Sequence, residues 1–386
     1  YKTRLLRRGN DKNALVGAML KKMIEAPAEP DSSLWGRVRG AATRFVRNRR
    51  ERKLSEVEQM IVREFSNLFA KDSRGDAEAP AAGFDQRTFD ISCRISQNLG
   101  YMFLRKFIEK VREGKLIDSL QTISSLAPVA FSITPYLAAF ATQHKDERLS
   151  RAVAAHFDCP RHLRSGNVRK AWFTDTFNDV NGVTRTIRTL ATIGRQNGKK
   201  LTVVTSLECP PQLDLDLRNF PPVGSFPLPE YESLVLSFPP FLEIIEYLER
   251  NAFDEVIIST PGPMGLTALA AARLLGLRST GIYHTDLPLL ARHLTGDPML
   301  EQTVWRFCQW FYNQTDHVVA PSEYYRSTLA ENGVDSRKLT VVERGVDTQL
   351  FSPSHRDPSF WRRFGLGDGR KFLYVGRVSR DKNLDL

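Results

Sequence analysis

Cysteine is scarce in this 386-residue chain, and the four present stand far apart. Cys93, Cys159, Cys209 and Cys308 form no C-x-x-C pair, and no histidine cluster lies beside them. That spacing argues against a zinc ribbon or a disulfide scaffold and points to a reducing, cytoplasmic setting. No carboxylate or histidine series has metal-ligand spacing, so neither a metal nor a bound cofactor is expected. A secretory signal is also lacking, and Tyr1 in place of Met suggests a cut amino end. Long apolar runs are nearly absent. The uncharged stretch from Ser119 to His144, "SLQTISSLAPVAFSITPYLAAFATQH", could span a bilayer by length. It is rich in Ser and Thr, and Pro128 and Pro135 should interrupt a continuous helix. Two short buried or interfacial helices are expected there, not a transmembrane span.

Charge is present in excess, but only at one end. The net charge is +11, and residues 1–53 hold fifteen Lys/Arg against five Asp/Glu, which leaves the remainder near neutral. A segment such as Arg44 to Lys53, "RFVRNRRERK", could dock on an anionic membrane surface, placing the protein peripherally on the inner face of the cell membrane. A solvated basic helix or linker is the plainer alternative. Few aromatic residues stand among these charges, which argues against a stacking platform for nucleic acid.

Two textures divide the chain. Residues 1–165 read as a basic, mostly helical region with no strand–turn–helix alternation. Within it Leu54–Ala70 has helical apolar spacing, 71–86 is a Gly/Pro/Ala-rich connector, and Phe89–Glu113 is a second helical pattern that Gly114 can end. From Val168 onward short apolar runs alternate with helical patterns: 171–177, 201–206, 255–260, 279–285, 317–322, 339–343 and 371–376. That alternation predicts an α/β fold, a Rossmann-like doubly wound parallel sheet. The expected units are 166–353 for this domain, 354–370 for a crossing segment, and 371–386 for the first strand of a second sheet.

In such a fold ligands sit beyond the carboxyl ends of strands, so the residues just after each apolar run matter most. The first run enters Asp179-Val-Asn181-Gly182, a polar turn into a helix start. Gly182 there permits close backbone approach, and the helix amino end offers N–H groups to a phosphate; an ordinary tight turn would look the same. Pro261-Gly262-Pro263 reads as a stiff structural entry into an alanine-rich helix that Gly276 caps. The run 279–285 ends in Tyr283-His284-Thr285-Asp286, which sets an imidazole and a carboxylate at the ligand edge. A strand-end histidine with only a structural role is the competing reading. Last, Gly376-Arg377 with Arg380 and Lys382 pairs a planar guanidinium with a point charge, a combination suited to a diphosphate and equally to a solvated turn.

Six features in order carry a resemblance over about residues 168–386: "TDTFNDVNGVTRTI" (174–187), "STPGPMGLTALAAARLLG" (259–276), "YHTDLP" (283–288), "APSEYYRSTLAENGV" (320–334), "ERGVDTQLFSP" (343–353) and "LYVGRVSRDKNLDL" (373–386). Together they resemble family 4 retaining glycosyltransferases, closest to bacterial GDP-mannose-dependent mannosyltransferases and sulfolipid-type enzymes. The resemblance implies a GT-B architecture, two Rossmann-like domains facing across a cleft, and a GDP- or UDP-sugar donor as substrate with no cofactor. It implies that His284 faces the donor sugar and acceptor as the catalytic residue. Gly182, Arg377 and Lys382 would hold the donor diphosphate, and Asp179, Asn181 and Asp286 would meet the sugar or acceptor. The acceptor is expected to be lipid-linked or a polysaccharide. An acidic pair of the family would fall beyond Leu386, so the chain reads as a fragment expected not to turn over alone. The rival readings are a non-catalytic membrane or nucleic-acid scaffold, and a phosphorylase or epimerase of the same architecture.

Overall fold

The computed structural model describes residues 84–112, 127–142, 153, 156, 168–179, 181–228, 231–343, 345–357, 359–367 and 369–376. The basic segment 1–53, the amphipathic pattern 54–70, and Arg377, Arg380 and Lys382 lie outside the described residues.

Two helices come first, α1 (Phe84–Arg112) and α2 (Ala127–Thr142). The α/β region follows with β1 (Arg169–Phe173), α3 (Gly182–Gln196), β2 (Lys200–Thr205), β3 (Leu217–Asn219), a hairpin of β4 (Gly224–Leu228) and β5 (Tyr231–Phe238), and α4 (Phe241–Arg250). It continues with β6 (Glu255–Ile258), α5 (Pro263–Leu275), β7 (Arg278–Ile282), α6 (Leu287–Thr295), α7 (Pro298–Gln314), β8 (His317–Ala320), α8 (Glu323–Glu331) and β9 (Leu339–Val341).

Seven strands form one sheet in the order β3-β2-β1-β6-β7-β8-β9, and every pairing is parallel. The expected doubly wound parallel sheet is therefore present. The order runs outward from β1 in one direction, then reverses across β6, so the switch point falls between β1 and β6. Ligands of such sheets enter the crevice at that point.

The centre of the sheet is buried on both faces, as parallel sheets must be when helices cover each side. Alternation along β1 serves two cores. Ala171 and Phe173 join Val204, Ile258 and the buried faces of α4 and α5, whereas Trp172 joins Val203, Ile187 and Val183 under α3. Trp172 also donates from Nε1 to Ser259 Oγ at 2.8 Å, which pins the end of β1 to the end of β6. Helix α5 buries Gly265, Ala268, Ala271 and Ala272 against the sheet side, with Met264, Leu269 and Leu275 buried beside them. It ends as its sequence requires, on Gly276 in the left-handed region at φ 64°.

The amino-terminal helices form a further layer over α4 and α5. Phe89 meets Tyr136 edge-on at 5.2 Å, and Phe89, Tyr136 and Phe140 belong to the same buried cluster as the α4–α5 side of the sheet. Tyr101 of α1 stacks on Phe226 of the hairpin at 6.3 Å. A cleft of about 520 Å³ opens between α1, β3 and α4, lined by Asp90, Arg94, Arg218, Phe220, Glu243 and Tyr247 among others, with no residue from the turns after β1, β6 or β7.

Two expectations are corrected. Pro135 does not interrupt a helix: α2 runs through it from Ala127 to Thr142. Its ring removes one backbone donor, yet Tyr136, Ala139 and Phe140 beside it are buried against α1, and that burial outweighs the loss. Pro128 sits in the first turn, where no N–H is needed. Residues 371–375 also form no strand. They are exposed, Phe372 at 95% and Val375 at 85%, because no described strand lies beside them to accept a ladder. Among the described residues no helix is long and apolar enough to cross a membrane.

Candidate active site

The ends of β1, at the switch point, and of β7, one strand beyond β6, carry the polar turns singled out from the sequence. Beyond β1 the chain makes a tight turn, with Asp179 N–H donating to Thr176 O at 3.1 Å and Asn181 N–H donating to Asp179 O at 3.0 Å. Asn181 then caps α3: its Oδ1 accepts from Thr184 N at 2.9 Å, and its amide approaches Asp179 Oδ2 at 3.4 Å. Gly182 is the first residue of α3 and is exposed. Below this turn Phe177, Val183 and Ile187 are buried, and Thr184 Oγ1 donates back to Thr176 O at 2.5 Å. The turn is thus held from beneath while its polar rim faces outward.

Beyond β7 the chain is anchored by Tyr283, which is buried with its ring 5.7 Å from Tyr312 and 5.5 Å from Tyr325. Burial pushes its phenol far above the ordinary range, and the nearby Asp286 carboxylate adds to the rise, so it stays neutral. Tyr283 N–H still donates to Val319 O at 2.9 Å, and His284 N–H donates to Ile282 O at 3.1 Å. His284 is therefore half-buried at the rim, held between a buried tyrosine and a helix start. That start is α6, whose first turn Asp286 caps by accepting from Leu289 N at 3.1 Å.

β1 and β7 are separated only by β6, so the two turns stand about 10 Å apart along the sheet edge at ordinary strand spacing. Asp179, Asn181, Gly182, His284 and Asp286 therefore share one edge. Arg377 and Lys382 lie outside the described residues, and their convergence on this edge is not part of the geometry.

The residue between these turns is Asp175, which the sequence reading quoted in a motif but gave no role. Its side chain reaches across the switch point: Oδ2 accepts from Thr260 Oγ1 at 2.9 Å and Oδ1 accepts from Met264 N at 2.9 Å. It does so at the amino end of α5, where the N-cap, Gly262, has no side chain of its own. Burial raises the Asp175 carboxyl to about 6 even though the Met264, Thr260 and Gly265 donors all favour the anion. A carboxyl residue two places past a central strand, opposite a Pro-Gly-Pro turn, was the available signal. Arg185 was missed as well: it stands exposed in the first turns of α3, with its guanidinium 5.4 Å from the centroid of Phe351.

Among the described residues no group of three or more His, Cys, Asp or Glu is placed to hold a metal ion. What the edge offers instead is a helix amino end, an imidazole, carboxylates and an exposed guanidinium. This is a Rossmann-like α/β domain with polar turns at the carboxyl edge of its sheet beside the topological switch point, the place where ligands of such folds bind.

Residues 180–350 match the family described as Glycosyltransferase Family 4, so the resemblance drawn from the motifs holds over this segment. A GDP-mannose-dependent alpha-mannosyltransferase of Mycobacterium tuberculosis is 29% identical over 225 residues, covering 56% of this chain and 58% of its own length. The sulfoquinovosyl transferase SQD2 of Arabidopsis thaliana is 28% identical over 197 residues, covering 50% of this chain and 38% of its own length. The chain thus spans about half the length of the curated relatives it matches. Among solved structures, Anabaena Alr3699/HepE in complex with UDP-glucose aligns with a TM-score of 0.37 and 18% identity, over 51% of this chain and 50% of that one.

Proposed function

We propose that the protein containing this chain is a retaining glycosyltransferase that moves a hexose, mannose or glucose, from a GDP- or UDP-sugar to a lipid-linked or polysaccharide acceptor. The observation that supports this reading is that the Gly182 turn and the His284 turn share the carboxyl edge of one sheet beside the switch point, inside a segment matched by a glycosyltransferase family. Mannose is favoured by the mannosyltransferase relatives. On this reading residues 166–353 are the acceptor-side domain of a GT-B enzyme, and 371–386 opens its donor-binding domain.

The chemistry suits these groups. Sugar transfer leaves negative charge on the departing nucleoside diphosphate, so N–H groups and cations aimed at it lower the barrier. The exposed amino end of α3 at Gly182 supplies the first. Arg377 and Lys382 are the proposed second. His284 and Asp286, with Asp179 and Asn181 on the same sheet edge across β6, would hydrogen-bond the sugar and orient the acceptor hydroxyl. The basic segment 1–53 would hold the protein on the inner face of the membrane, beside a lipid-linked acceptor.

The test is transfer from a panel of GDP-mannose, UDP-glucose and related donors by the whole gene product that carries this sequence, beside His284→Ala. We expect kcat to fall by roughly two to four orders of magnitude in the variant. Undiminished transfer would remove His284 from the mechanism, and binding of no sugar nucleotide would defeat the transferase reading itself.

A further inference from the structure

The helix that follows β6 does not cap itself. Helix amino ends leave their first N–H groups without intrahelical partners, and the N-cap side chain ordinarily supplies an acceptor. At this sheet edge α3 uses Asn181, α6 uses Asp286 and α8 uses Ser322. At α5 the N-cap is Gly262, and the acceptor comes from another strand, Asp175. Gly262 leaves room for it: a Cβ placed there would stand 2.5 Å from Asp175 Oδ2 and 2.8 Å from Asp175 Cγ. Glycine and carboxylate therefore occupy complementary space, and one explains the other.

Asp175 is also the residue from which the turn bearing Asp179, Asn181 and Gly182 departs. Its main chain belongs to the β1–α3 turn and its side chain to the α5 entry. The two turns on either side of the crevice are joined through this one carboxylate and, just below it, through Trp172 and Ser259. We infer that Asp175 is a positioning residue: its bridge to Thr260 and Met264 sets the register between the β1–α3 turn and the amino end of α5, and so fixes where Asn181 and Gly182 present themselves to a sugar nucleotide. It touches no reacting atom in this role, because its oxygens are engaged by Thr260 and α5. The functional half of the inference rests on the transferase reading above; the register itself does not.

The experiment compares wild type with Asp175→Ala, Gly262→Ala and Thr260→Val by peptide-resolved deuterium uptake and by GDP-mannose and UDP-glucose affinity. In Asp175→Ala we expect uptake to accelerate at least tenfold in both 174–187 and 259–268, while 317–331 stays within twofold. Donor affinity should weaken about tenfold. Gly262→Ala should reproduce this with the carboxylate retained, since the added methyl evicts it. Thr260→Val removes one hydroxyl, endangers folding least, and should give the same pattern at several-fold size. Acceleration confined to 259–268, or an unchanged Gly262→Ala, would overturn the register. Loosening of both segments with unchanged donor affinity would overturn the positioning role and leave a purely structural one. If wild type binds neither sugar nucleotide, the transferase reading fails, and the uptake pattern alone decides the register.

Discussion

Helices α3 and α5 begin a few residues beyond the two strands that flank the switch point, yet their amino ends are built in opposite ways. That of α3 is capped by its own Asn181, begins with an exposed glycine and faces outward. That of α5 begins with a glycine that touches a carboxylate and with a proline that has no N–H and so needs no acceptor. One helix dipole stays available to an incoming anion, while the other is already neutralised by an anion of the protein. Two glycines in similar places thus do different work. Gly182 concerns what approaches from outside, and Gly262 concerns what is already packed inside.

Substitutions separate these roles, beginning with the largest expected effect. Gly265→Ala should destabilise by roughly 3 kcal/mol, read as a urea midpoint shift, because its methyl would run into the Thr260 carbonyl and Ile258. Gly262→Ala should cost roughly 2 kcal/mol, since a partly buried carboxylate must leave its donors. Asp175→Asn tests the same contact through pH. The folded carboxyl keeps its proton up to about 6, whereas an unfolded one releases it near 4. The folded state therefore binds more protons in that window, and stability must fall as pH rises from about 4 to 6. Wild-type stability relative to Asp175→Asn should decline by about 2 kcal/mol across the window and stay level above it; a flat difference would break the assignment. Asn181→Ala should cost about 1 kcal/mol for the lost cap. Gly182→Ala should leave stability within about 0.5 kcal/mol, glycine being the weaker helix former, while donor affinity falls. Equal thermal losses at Gly182 and Gly262 would erase the contrast.

The same contrast shows what could be read without coordinates. Six strands of the large sheet announce themselves as apolar runs, and each run overshoots its strand by one to four residues. The overshoot is informative: Thr174, Ser259 and Tyr283 stay buried and still donate to neighbouring strands, while Asp175, Thr260 and His284 after them begin the turns at the sheet edge. β3 escaped notice because only three residues pair, although "LDLDLRNF" (213–220) carries the alternation of a strand. The hairpin β4–β5 was missed because Pro227 and Pro229 obscure it. The rim positions Asn181, Gly182, His284 and Asp286 were legible because turn chemistry is local. Asp175 was not, since its role depends on a partner 89 positions away that only the β1–β6 pairing brings near. Pro135 misled for a related reason: propensity describes a lone helix, and α2 is stabilised by its neighbours.

Strand β1 serves two cores with successive residues, and this limits how the chain can vary in length. Inserting one residue there would exchange Trp172 and Phe173 between the α3 side and the α5 side and part the indole from Ser259. Β1 can thus accept a change of side chain far more readily than a change of count. The hairpin at 224–238 pairs only with itself and belongs to no rung of the seven-stranded ladder. A change of length in its turn would leave the register of the large sheet, and the turns at its edge, in place.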